Sequence, residues 1–182
     1  MLEGMAQPID RETLALKAAT HAYLWAGAVK FAASQLLVSD ADESKLPPQA
    51  RDLRSAARQS LALSLMLALR NVLRAAEMAC RYADRAEKTN LLAALGRFKI
   101  RLPGLVDARG VLEHFDRYTD VGGSPTALYE VTFKRGDGTY VVSAGGVEID
   151  VAVAIDESRH LSANVIGIAG DRWTYPVGNE VE

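Results

Sequence analysis

From Gln49 to Lys88 the chain runs for forty residues without a glycine or a proline. The middle of that run, LALSLMLAL over Leu61–Leu69, is apolar on nearly every side of a helix. A helix with no polar face belongs in the interior, with the other elements packed round it. The sequence therefore predicts a mainly α protein built on a long central helix. Arginines stand at its two ends: Arg51, Arg54 and Arg58 at one, Arg70, Arg74, Arg81 and Arg85 at the other.

The flanking segments fit a bundle. Asp10 is a good N-cap, and apolar residues recur at helical spacing from Leu14 through Ala18, Ala22, Trp25 and Val29 to Leu36, which predicts a first helix over 11–38. The acidic SDADESKLPP stretch breaks it, and Pro47–Pro48 opens the next helix, where a missing N–H costs nothing. Thr89 or Asn90 is expected to cap a short third helix ending near Phe98, and a fourth is expected over 105–119. The period then changes from 3.6 to 2. Tyr129, Val131 and Phe133 alternate with polar neighbours, RGDG is a turn signal, and Thr139–Ser143 is a second β run. This predicts a small hairpin over 127–144, with a short strand or turn after Gly145–Gly146. A last helix is expected over 151–169, capped by Asp150 and ended by Gly170, with an extended tail over 171–182. The expected architecture is one domain over 1–182: a bundle of four to five helices, 11–119 and 151–169, with a β-hairpin before the last helix.

The 182 residues are enough for a sizeable core. A formal net charge of −2 gives no global attraction to nucleic acid or membrane. Locally the balance differs: Arg70–Arg101 holds eight basic and three acidic residues, whereas the chain from Leu102 onward holds six basic and thirteen acidic. The single cysteine, Cys80, excludes an internal disulfide and reads as a small packing residue. The opening residues carry no signal-peptide pattern, and no apolar run reaches the ~20 residues of a spanning helix. The expected setting is the cytoplasm, with no membrane contact.

One stretch, Asp107–Tyr118 (DARGVLEHFDRY), carries groups suited to chemistry. On a helix at ~100° per residue, Leu105, Ala108, Val111, Leu112, Phe115 and Tyr118 share one sector, and Arg109 and His114 flank it roughly 140° apart. Two such helices packed along that sector would bring the arginine of one copy to the histidine of the other. Histidine suits general-base work at neutral pH, and arginine suits a phosphate. Tyr118 lies one turn after His114, on its side of the helix. Arg74, Arg81 and Arg85, with Arg70, fall near one side of a continuous second helix, as a solvated face or a phosphate-facing stripe would. No ligand-spaced Cys/His/Asp cluster stands out, so neither a metal nor another cofactor is expected.

An Arg-x4-His on a late helix of a small helical bundle resembles the HEPN superfamily. The resemblance covers roughly residues 11–119. It implies a metal-independent endoribonuclease of the toxin or defence type, with Arg109 on the phosphate and His114 as base at a dimer cleft. It also implies RNA as substrate and an antitoxin-type protein as a further partner. Some members carry a tyrosine two residues after the histidine; here that position is Asp116 and the tyrosine is Tyr118.

The residues alone leave a second reading open. Arg109 can pair with Glu113 and His114 can be an ordinary border residue, which makes the chain a non-catalytic helical homodimer or interaction protein. A small-ligand pocket between helices and hairpin is a third. His21, between apolar residues, reads as a packed histidine. His160 reads as part of a solvated face with Asp156, Glu157 and Arg159. Glu77 and Arg81 form an i,i+4 pair if the helix runs through them.

Overall fold

A computed structural model describes residues 10–38, 46–105, 132–135, 140–144 and 147–174. These form four helices and a three-stranded antiparallel sheet: α1 (Arg11–Val38), α2 (Pro48–Ala79), α3 (Arg85–Arg101), β1 (Thr132–Arg135), β2 (Tyr140–Ala144), β3 (Val147–Asp150) and α4 (Val151–Ala169). The mainly helical class, with a hairpin before the last helix, is as the sequence predicts.

The helix starts follow from their caps. The Asp10 carboxylate accepts the Thr13 N–H and the Thr13 hydroxyl, both at 2.8 Å. These bonds hold the Asp10 carboxyl below its ordinary range. The folded value is the lower one, so this contribution is present at neutral pH and is lost as pH falls through it. Asp150 caps α4 by accepting the N–H groups of Ala152 and Val153.

The central run is divided. α2 ends at Ala79, residues 80–83 turn, and α3 starts at Arg85 rather than at Thr89 or Asn90. Neither glycine nor proline makes the break. Asp84 accepts the Glu87 N–H while Glu87 accepts the Asp84 N–H, each at 2.8 Å, a reciprocal capping box. Helix propensity through CRYADRAEK is ordinary, so the cap sets the boundary. Asp84→Ala is expected to cost about 1 kcal/mol of stability, read as a lower urea midpoint with an unchanged m-value; an unchanged midpoint would mean that the turn is fixed by other contacts.

α1 packs chiefly against α2 and α4, and α4 also rests on α3 and α2. Their shared core holds Val29, Leu36, Leu65, Met66, Leu69, Val72, Leu91, Phe98, Leu161 and Val165. The sheet joins it through Val142 and Ile149, which face each other across β2 and β3. The apolar stretch of α2 is buried as expected, but its first buried residue is Ala62, so about four turns at its start place no fully buried side chain in that core. The residues after α4 are not simply extended. Gly170–Arg172 forms a 3-10 turn, and Trp173 sets its ring edge-on to Tyr23, with centroids 5.3 Å apart.

Candidate functional site

Arg109, His114 and Tyr118, with all but the first residue of the fourth helix expected over 105–119, lie outside the described residues. So do the turn of the hairpin and Gly145–Gly146. The point of entry to that segment is fixed, however. Leu102 and Leu105 close α3 and are both buried in the core, so the chain enters the motif from an anchored end.

The four arginines expected as one stripe are separated by the break after Ala79. Arg70 is buried, 7% exposed, and forms part of the helix packing rather than a solvated face. Arg74 is exposed on α2, Arg81 stands in the turn, and Arg85 opens α3. Glu77 accepts Lys99 from α3 at 3.2 Å, and the expected pair with Arg81 fails because the helix ends between them.

Arg74 lines a groove of about 200 Å³ between α1 and α2, together with His21, Trp25, Asn71, Ala75 and Met78. His21 is thus an exposed groove residue and not a packed one. The buried face of α1 runs through Ala15, Ala18, Ala22, Val29 and Leu36, and at helical spacing His21 falls beside it. The groove has an apolar floor in Ala75, with Trp25 and Met78 half-buried, and His21, Asn71 and Arg74 add polar side chains to it. Such a mix suits a flat ring carrying an anionic group. Charge supports this. From Thr13 to Val38, α1 carries Lys17 and Lys30 and no acidic residue. From Leu53 to Ala79, α2 carries four arginines and only Glu77. The helix pair is a basic surface on a chain whose net charge is −2.

A second charged cluster joins α3 to α4. The Glu157 side chain is 1% exposed, and its Oε1 accepts Nε and Nη2 of Arg97 at 3.0 and 2.9 Å. Arg101 approaches the same oxygen at 3.5 Å, and Arg97 also reaches Asp156 at 3.2 Å. The carboxylate keeps the Arg97 guanidinium even more firmly protonated than usual. Glu157 therefore does not belong to a solvated face. Asp156 and Arg159 do pair there at 3.1 Å, while His160 is half-buried. Arg97 and Glu157 are sixty residues apart, and no local signal in the sequence links them.

Cys80 is half-buried at the end of α2, and burial pushes its thiol up. A raised thiol stays protonated at neutral pH, which suits a packing residue and not a nucleophile. Among the described residues no group of three or more His, Cys, Asp or Glu gathers as metal ligands, and no helix is long and apolar enough to cross a membrane.

No family model, curated protein or solved structure matches the chain.

Proposed function

We propose that the protein is a metal-independent endoribonuclease of the HEPN type, acting on single-stranded RNA as a homodimer. The observation that carries this reading is the Arg109-x4-His114 spacing, placed just after α3 in a chain whose described part is a helical bundle. His114 takes the proton of a ribose 2′-hydroxyl. The 2′-oxygen bonds to the adjacent phosphorus, the bond from phosphorus to the 5′-oxygen breaks, and that oxygen takes a proton from water, whose hydroxide is neutralised by the proton held on His114. Arg109 balances the charge that builds on the phosphate oxygens. On a helix over 105–119 the two side chains would lie on opposite borders of one sector, so an arginine and a histidine from different copies would complete each site. In this reading the protein works in the cytoplasm as a toxin or defence factor, and an antitoxin-type protein is its partner.

The test is a cleavage assay in EDTA with purified protein. Single-stranded RNA should be cut to products ending in 2′,3′-cyclic phosphate and 5′-hydroxyl. DNA lacks the nucleophile and should stay intact. Intact RNA across substrates of varied sequence would end this reading.

One observation favours a second reading, a helical homodimer without catalysis. Leu24 and Phe31, one heptad apart on the outward side of α1, are 55% and 64% exposed. Between Ala18 and Val38 that helix carries Lys30 as its only Lys, Arg, Asp or Glu. An apolar face of this kind is commonly covered by a second copy, with C2 the default symmetry. Light scattering at tens of micromolar is expected to give the dimer mass, and Phe31→Glu to shift it toward the monomer. A monomeric wild type would count against this reading and against the composite site alike.

A further inference from the structure

We infer that the groove between α1 and α2 is a subsite for one base of a single-stranded RNA, with the neighbouring phosphate held by His21 and Arg74. The inference rests on the ribonuclease reading above for the class of ligand, and on the groove itself for the place. At about 200 Å³ the groove is smaller than the roughly 300–1,000 Å³ of pockets that enclose a whole ligand. It has room for a ring system and not for everything attached to it. That fits one unit of a longer strand whose backbone lies over the surface. Trp25, half-buried in the wall, offers an indole to a base, and stacking of this kind accepts any base because each has a π face. Asn71 can both donate and accept at a base edge. Arg74 already makes a polar or ionic contact, but a guanidinium has five N–H donors and keeps others for a phosphate. The exposed His21 stands across the groove from it.

The surroundings fit a strand that continues out of the groove. Lys17 is exposed one turn before His21 on α1, and Arg81 is exposed in the turn beyond α2. Glu77, the one acidic residue of α2 after Asp52, is engaged by Lys99. Backbone phosphates leaving the groove toward the α2–α3 turn would therefore meet cations.

The experiment measures binding separately from cutting. A fluorescein-labelled ten-nucleotide uridine RNA is titrated by anisotropy with His114→Ala protein, so that the strand survives whether or not the wild type cleaves it. His21→Ala and Arg74→Gln, added singly to that background, change exposed side chains, and circular dichroism confirms that they fold. Each is expected to weaken binding about tenfold, and Arg74→Gln to lower the slope of log affinity against log salt by about 1. Trp25→Phe is expected to remove most of the tryptophan quenching that RNA produces, leaving Trp173 as the only indole. Unchanged affinity and unchanged quenching in these variants would overturn the inference. Uridine monophosphate competing as well as the decamer would overturn the strand assignment. A wild type that leaves RNA whole, with affinity still dependent on His21 and Arg74, would keep the subsite and remove the ribonuclease. RNA that is cut with a KM indifferent to both residues would do the reverse.

Discussion

His114→Ala is expected to slow RNA cleavage by on the order of 10²–10⁴-fold. Removing the imidazole leaves water to take the 2′ proton, and the strand should still bind. Arg109→Ala is expected to cost about 10²–10³-fold, because the developing phosphate charge loses its nearest cation. Glu113→Ala is the control. It tests whether Arg109 is held as a helix ion pair, and its loss should change helix stability by only a few tenths of a kcal/mol, with the rate nearly intact. Single-turnover assays in EDTA decide this. Equal rates in wild type and both site variants would assign any cutting to a contaminant.

The largest stability effect is expected at the Arg97–Glu157 pair, and its order is the unusual part. Arg97→Ala should harm the fold more than Glu157→Met, although Glu157 is the buried partner. Without Arg97, a fully buried carboxylate keeps only Arg101 at 3.5 Å. Leaving such a carboxylate short of its hydrogen-bonded cation costs on the order of 3 kcal/mol. For a chain of this size that lowers Tm by about 6–12 °C. In Glu157→Met the volume is nearly kept, the buried charge is gone, and Arg97 and Arg101, half exposed, return to water. The change should then stay within about 1 kcal/mol. Thermal melts followed by circular dichroism give the order. A Glu157→Met protein that melts below Arg97→Ala would mean that the pair contributes net stability rather than merely compensating its own burial.

The start of α1 and both ends of α4 could be read from the chain because single residues write them locally, a capping carboxylate at each start and a glycine of positive φ at the finish. Asp10, Asp150 and Gly170 each act within a few residues of where they stand. The end of α2 was legible too, but in a weaker script. Asp84 and Glu87 form the reciprocal pair that starts a helix, and a long run of good helix formers hides it. Burial of Arg70 and Glu157 was not legible. It depends on which helix lies across from each residue, and periodicity along one segment says nothing about that. The groove was half legible. Arg74 stood out as a cation, but its setting with His21 and Trp25 is made by α1 returning beside α2, some fifty residues earlier in the chain. Arg109 and His114 remain a reading of spacing and residue chemistry.

Asp150 has two duties at once. It is the last residue of β3, opposite Val141 of β2, and its carboxylate starts α4. No linker separates the sheet from the helix, so a displacement of β3 would carry the first turn of α4 with it. Two turns along, Glu157 is clamped to α3 through Arg97. Whatever docks on the sheet would therefore be felt between α3 and α4, at the point where the chain leaves α3 for Arg109 and His114.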